Sequence, residues 1–331
     1  MAPEPRANPV LFGHDGAAAA LAAGARSGRL AHAWLVTGQP GVGKATLCWR
    51  FARWLLAGMP RDEGGETALH LPESDPVFRR VSASGHPDVL LLAPAQEAGK
   101  RRIIKVDEAR EARRFLSLTA AEGGWRTVIM DEVEAMEAPA ANTILKTLEE
   151  PPPRTVLLLV TAAPGRLLPT IRSRCRRLDL APLEPDAMRK ALSVLAPDAD
   201  AAALIPLANG SPGRALALAE GEGVELARLA RAALQALPQS GAAEAHALAD
   251  RIAGRDAAGF APFFDVLTRE LQAALRDAAR GRTAPPWLAL RPLPAWVEAA
   301  SSLRRQVEEA ERLSLDRRQA VLVALDTLRR G

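Results

Sequence analysis

Cysteine is scarce in this chain, with only Cys48 and Cys175 among 331 residues. The two lie far apart in sequence and match no metal-ligand spacing, which fits a reducing compartment and argues against a disulfide framework. No apolar run approaches the roughly twenty residues that a membrane span needs. The opening residues, Met1-Ala2-Pro3-Glu4-Pro5-Arg6, lack a hydrophobic secretory core. The expectation is a soluble, cytoplasmic protein with no membrane association. An excess of charge of either sign is also missing: the formal net value is only +4, with acids and bases mixed along the chain, so composition alone gives no argument for nucleic acid. No internal repeat is present, and the alanine bias is compositional. What remains is a globular chain long enough for two or three domains with ordinary packed cores.

The first half alternates short β-branched or leucine-rich runs with helical stretches, the pattern of a parallel sheet covered on both faces. Strands are expected at Ala33–Thr37, Asp88–Leu92, Thr127–Met130 and Val156–Thr161, and helices at Lys44 to about Leu56, Val106–Ala121 and Ala138–Leu148. Beyond Leu180 the strand signals fade and Ala, Leu and Arg dominate. Pro182 and Pro185 mark a boundary, and Asn209-Gly210-Ser211-Pro212-Gly213 marks a break. The expected division is an α/β domain over 1–182, a small helical domain over 183–220 and an all-helical domain over 221–331. In the last, Leu226, Leu229, Ala233 and Leu237 share one helix face, as do Phe264, Leu267, Leu271 and Leu275. Loops are expected at Thr283–Trp287 and Arg291–Pro294, and Asp316 is an expected N-cap for a final helix carrying Val321, Leu325 and Leu328.

Residues 38–45 read Gly-Gln-Pro-Gly-Val-Gly-Lys-Ala, a phosphate-binding loop complete except at its last position. In such a loop Gly38, Gly41 and Gly43 let backbone N–H groups wrap phosphates, Lys44 reaches the terminal phosphates, and a Ser or Thr hydroxyl at the next position holds Mg²⁺. Ala45 offers no oxygen. Thr46 cannot substitute, because one step along a helix turns the side chain by roughly 100°. The strand before the loop and the helix after it strengthen the assignment, since a helix N-terminus adds partial positive charge where phosphate would sit. A second signature is Thr127-Val128-Ile129-Met130-Asp131-Glu132, a hydrophobic strand ending in two carboxylates. In nucleotide-hydrolysing folds the first carboxylate holds Mg²⁺ and the second orients or activates the attacking water. ATP can therefore still be held with its metal poorly placed, and turnover is expected to be slow or absent.

Two further stretches narrow the class: Leu145-Lys146-Thr147-Leu148-Glu149-Glu150-Pro151-Pro152 and Thr170-Ile171-Arg172-Ser173-Arg174-Cys175. Together with the loop and the carboxylate pair, and with Gly210-Ser211-Pro212-Gly213-Arg214, they closely resemble the clamp-loader branch of the AAA+ family over about two-thirds of the chain. The resemblance implies an AAA+ domain, a helical lid and a C-terminal helical collar that holds subunits together. It also implies a part in DNA replication, helping to load a sliding clamp onto primed DNA. It makes Arg174 an arginine finger that reaches a neighbour's ATP, Thr161 a sensor of the terminal phosphate, Arg214 a lid arginine that contacts phosphate, and Glu132 a vestige of the water-orienting acid.

The partners it implies are motor subunits of the gamma/tau type, a delta-type subunit and, through the assembled complex, the sliding clamp and DNA. Many relatives in that branch carry a four-cysteine zinc module between loop and carboxylate strand, but residues 57–85 contain no cysteine, so no zinc is expected. No polymerising activity is expected of the chain alone, which has no further carboxylate pair for nucleotide transfer. Two alternatives stay open: an ATP-hydrolysing motor using Lys44, Asp131, Glu132 and Thr161, and a DNA-binding regulator on the same scaffold. Lys100-Arg101-Arg102 and Arg110, Arg113 and Arg114 could face DNA phosphates, or simply form a solvated surface. Trp34, Trp49, Trp54 and Trp125 are expected in or beside the core, and no chemistry is assigned to His86 or Cys48.

Overall fold

A computed structural model of the chain describes residues 3–60, 68–94, 103–221, 223–239, 241–253, 257–281, 284–313 and 315–329. Lys100-Arg101-Arg102, Thr283 and part of the cysteine-free 57–85 segment lie outside these residues. The chain divides into two compact units, Met1–Leu216 and Ala217–Gly331.

In chain order the first unit holds α1 (Asp15–Arg26), β1 (Ala33–Thr37), α2 (Lys44–Leu56), α3 (Pro76–Ser82), β2 (Val89–Leu92), α4 (Val106–Ser117) and β3 (Arg126–Met130). It continues with α5 (Ala138–Glu149), β4 (Thr155–Thr161), α6 (Pro169–Arg172), β5 (Arg176–Asp179), α7 (Pro185–Leu195), α8 (Ala201–Ala208) and the start of α9 (Pro212–Glu220). Among the described residues the strands form one five-stranded sheet in the order β2-β3-β4-β1-β5, every pairing parallel. The three central strands are buried along their whole length, as expected for a parallel sheet covered on both faces. Ala33, Leu35, Val128, Met130, Leu157 and Leu159 pack on one side with α4 and α5. Trp34, Val36, Leu158 and Val160 are buried on the other, the side on which α2 brings Leu47, Phe51 and Trp54. Trp34 and Trp54 are core residues, as expected.

The parallel sheet and its helices match the α/β expectation, with three differences at the level of elements. Strand β5, Arg-Arg-Leu-Asp, has no apolar run because it is an edge strand with exposed side chains; its backbone pairing to β1 defines it. Helices α1, α3 and α6 add to the expected set. Helix α4 ends at Ser117 rather than at 121, for an identifiable reason. The buried carboxylate of Asp88 accepts the N–H groups of Ala121 at 2.8 Å and Glu122 at 3.1 Å, while the Arg126 guanidinium donates to the Leu116 and Leu118 carbonyls. Backbone groups that would have continued the helix are captured by side chains instead.

The second unit is helical throughout among the described residues: α10 (Gly223–Ala236), α11 (Ala242–Ala253), α12 (Ala257–Ala279), α13 (Leu293–Arg312) and α14 (Arg317–Arg329), with a 3-10 turn at Pro286–Leu290. Phe264, Leu267, Leu271 and Leu275 are all buried, so the expected face of α12 is its core face. Helix α12 packs against α10 and α13, and α11 against α14. Asp316 caps α14, its Oδ1 accepting the Gln319 N–H at 2.7 Å. Helix α13 starts at Leu293, inside the stretch expected to be loop. Pro294 falls in its first turn, where a missing N–H costs nothing.

Candidate nucleotide loop and arginine site

In a parallel sheet, ligands gather at the carboxyl ends of the strands, and most of the expected site residues lie there. The loop Gly38–Gly43 leaves β1 after Thr37. Asp131 and Glu132 follow β3, and Thr161 ends β4, level with Thr37 in the sheet register. Gly43 is the N-cap of α2 at φ +112°, and no side chain caps the helix. The first amides of α2 therefore have neither an intrahelical acceptor nor a capping oxygen, the arrangement that receives an anion.

Lys44 is buried and donates from Nζ to the Gly38 carbonyl at 2.8 Å and the Gln39 carbonyl at 2.9 Å. Burial holds its ammonium below the usual lysine range, against the pull of Asp131 and, more weakly, Glu134, Cys48 and Glu132. Asp131 Oδ1 accepts the Glu132 N–H at 3.0 Å. Glu132 has a left-handed backbone, φ +50°, a conformation costing a side-chain-bearing residue about 1 kcal/mol that is found preferentially at functional sites. Thr161 is fully buried, and its Oγ1 accepts the Ala163 N–H at 2.9 Å.

The helical segment after Pro182 supplies the loop's other wall. Gln39 Nε2 donates to the Asn209 carbonyl at 2.6 Å, Ser211 Oγ to the Pro40 carbonyl at 2.9 Å and Gly213 N–H to the Gly41 carbonyl at 2.9 Å. Ser211 Oγ also accepts the Arg214 N–H at 3.2 Å. Arg214 therefore lies in the first turn of α9, directly beside the loop. On the remaining side, His14 Nε2 sits 2.8 Å from the Val42 carbonyl, and Arg53 donates to the carbonyls of Arg6 and Asn8, fastening the N-terminal segment across α2. Burial keeps the His14 imidazole below its usual range and pushes the Cys48 thiol well above its own.

The donor set suits the phosphates of a nucleotide, through Lys44 and the open amides at the start of α2. It does not suit the metal equally, because the Ala45 methyl stands where a hydroxyl ligand would be needed.

Arg174 lies apart from this group. It precedes β5, and Arg176 is level with Trp34 near the amino end of β1, whereas the loop begins four positions further on. At about 3.3 Å per residue, roughly 13 Å of strand separates the two levels, and Arg174 is two residues further back still. Its Nη1 donates to the Thr170 carbonyl at 3.1 Å, and its Nη2 pairs with Glu149 Oε1 at 2.8 Å. The sheet thus brings Gly38, Gly41, Gly43, Lys44, Asp131, Glu132, Thr161 and Arg214 to one end and leaves Arg174 at the other.

A family model described as DNA polymerase III, delta subunit, matches residues 13–184, just over half of the chain. The chain belongs to this family. The match takes in the loop, the carboxylate pair and Arg174, so this delta-family chain is delta-prime-like in the part that carries them. The DNA polymerase III subunit delta' of Escherichia coli is 38% identical over 205 residues, 61% of this chain and 58% of that protein. Its counterpart in Pseudomonas aeruginosa is 38% identical over 147 residues, 44% of this chain and 42% of that protein. The chain thus spans about half the length of the curated relatives it matches. In fold it resembles the crystal structure of a DNA polymerase III gamma subunit-related protein from Thermotoga maritima, with a TM-score of 0.52 and 20% identity, covering 93% of this chain and 98% of that one. The fold is an AAA+ phosphate-loop domain with a parallel sheet, followed by helices. Among the described residues no helix is long and apolar enough to cross a membrane.

Sequence reasoning about this delta-family chain assigned no role to Ser211, His14 or Glu149. Ser211 was the most accessible of them, being a Ser between Asn-Gly and Pro-Gly just ahead of a helix. Nothing in the sequence pairs Glu149 with Arg174 or His14 with Val42.

Proposed function

We propose that this chain is a clamp-loader subunit of the delta-prime type, which lends Arg174 to the ATP site of a neighbouring motor subunit and runs little or no ATP cycle of its own. The observation that carries the reading is the position of Arg174 at the end of the sheet opposite Gly38–Lys44. An arginine there is out of reach of its own chain's phosphate loop and at the surface, with its side chain 36% exposed. A guanidinium brought to another subunit's transferring phosphoryl group neutralises charge that grows in the transition state, an effect worth orders of magnitude in rate. Lysine lacks the planar fork that this role uses.

At the chain's own loop, Lys44 and the first amides of α2 are the residues that would hold nucleotide phosphate. What a nucleotide supplies there when bound is negative charge opposite a buried ammonium and a helix start. Ala45 gives a divalent cation no oxygen, so the cation that hydrolysis uses would be poorly held beside Asp131 and Glu132. In this reading residues 183–220 serve as a lid and 221–331 as a collar. The partners are gamma/tau-type motors and a delta-type subunit, with the sliding clamp and DNA engaged through the assembled complex.

The test is the DNA- and clamp-stimulated ATPase of motor subunits reconstituted with this chain or with Arg174→Ala. A fall of roughly tenfold or more with the complex intact is the expected result for a lost finger; an unchanged rate removes the reading. The retention of Lys44 beside Asp131 favours one second reading, a weak motor. Mg²⁺-dependent turnover by the isolated chain, lost in Lys44→Ala, would support that reading instead.

A further inference from the structure

Helix α5 ends in two acids, Glu149 and Glu150, at the end of a helix where the macrodipole disfavours negative charge. Glu149 lines a cleft of about 340 Å³ at the C-terminal ends of α4 and α5, whose wall also holds Arg113 and Lys146. Lys146, three residues earlier on the same helix, is the local partner that helical spacing would give it. Its carboxylate instead engages Arg174, at 2.8 Å. A residue placed against local preference and paired across elements marks a position where something other than helix stability is served.

The contacts of Arg174 suggest what that is. Nη1 donates to the Thr170 carbonyl one helical turn back and, at 3.5 Å, to Ser173 Oγ, while Nη2 forms the ion pair with Glu149. Two of the three guanidinium nitrogens are thereby fixed from two different elements, while Nε–H keeps no partner among the described residues. Both partners in the ion pair remain substantially exposed, at 36% for Arg174 and 50% for Glu149. Such a pair adds little to folding, and a stronger anion can share or take the guanidinium without unfolding anything.

We infer that Glu149 is the positioning residue for Arg174, setting the orientation of its guanidinium before a triphosphate held by the neighbouring subunit arrives. The inference rests on the proposed role of Arg174. Its physical content is pre-organisation: a long side chain already immobilised need not be ordered when the transition state forms.

The test uses the reconstituted complex with Glu149→Ala, Glu149→Gln, Arg174→Ala and the double variant Glu149→Ala/Arg174→Ala, each checked for assembly by gel filtration. Immobilising one rotamer-rich side chain is worth a factor of about two to ten. Glu149→Ala should therefore lower the stimulated kcat by about that factor at unchanged KM for ATP. Glu149→Gln, which keeps an acceptor oxygen, should recover part of the loss. In the Arg174→Ala background, Glu149→Ala should add nothing. If Arg174→Ala is impaired while Glu149→Ala matches or exceeds wild type, the inference fails and the role of Arg174 stands. An equal loss from Glu149→Ala in both backgrounds also overturns it, because Glu149 then acts elsewhere. If Arg174→Ala itself matches wild type in an intact complex, the role of Arg174 fails first.

Discussion

The packing of the loop against the Asn209–Arg214 turn is open to a controlled perturbation. Gly41 has φ +72°, and a Cβ there would lie 2.6 Å from Ser211 Oγ and 3.1 Å from the Arg214 amide nitrogen. Gly28 has nearly the same backbone, φ +69°, with nothing within 4 Å of an added Cβ. Gly28→Ala therefore measures the backbone cost alone, about 1 kcal/mol for a left-handed alanine. Gly41→Ala carries the same cost and also displaces Ser211, whose hydroxyl donates to Pro40 and accepts from Arg214. Two hydrogen bonds at about 1 kcal/mol each bring the total to about 3 kcal/mol. For a unit of this size about 1 kcal/mol moves Tm by roughly 2–4 °C, so Gly28→Ala should lower the melting point by about 3 °C and Gly41→Ala by about 9 °C. Thermal denaturation of the full chain supplies those values, and hydrogen exchange localises the effect. The amides of Ser211, Gly213 and Arg214 should lose protection in Gly41→Ala and keep it in Gly28→Ala. Equal melting shifts, with unchanged protection at Ser211, Gly213 and Arg214 in both, would show that Gly41 does not support the Ser211 contact.

Three other perturbations have signs fixed by the structure. Burial pushes the half-buried Cys175 thiol up to about 12 and the buried Cys48 thiol up as well. Alkylation by iodoacetamide at about pH 8 should therefore be slower in the folded chain than in urea by on the order of a thousandfold, and fast labelling of either cysteine in the native state contradicts this. His14 is held below the ordinary histidine value of about 6.5 by burial, with Val42 and Asp15 pulling the other way. The unfolded chain thus takes up the proton first as pH falls through that value, and stability drops with acid; urea midpoints at about pH 7.5 and 5.5 should converge in His14→Gln relative to wild type, and an unchanged difference rules the contribution out. Asp316→Ala should cost about 1 kcal/mol through loss of the α14 cap, read as faster exchange of the Gln319 amide, and unaltered exchange there would show the cap to be idle.

The elements legible in the sequence were those whose identity is set by side-chain burial. Strand β1 at Ala33–Thr37 and helix α2 at Lys44–Leu56 coincide with expectation, because a doubly covered strand reads as a continuous apolar run and a glycine loop announces the helix that follows. The elements that escaped are set by backbone pairing or by distant side chains. Strand β5 shows only Arg-Arg-Leu-Asp, since an edge strand need not bury anything. The early end of α4 depends on Asp88 and Arg126, neither adjacent to it in sequence. The site divides in the same way. Loop, carboxylate pair and Arg174 stand in contiguous motifs, while the Ser211 hydroxyl on the loop and the Glu149 carboxylate on Arg174 join segments that no spacing rule connects.

The role of Arg174 is decided by an experimental structure of this chain assembled with gamma/tau-type motor subunits and a non-hydrolysable ATP analogue. The Arg174 guanidinium is expected within about 3 Å of a terminal phosphate oxygen held by the neighbouring subunit, at the end of the sheet opposite this chain's own loop. A nucleotide in the neighbour lying beyond reach of Arg174, in an intact and clamp-competent assembly, would contradict that role.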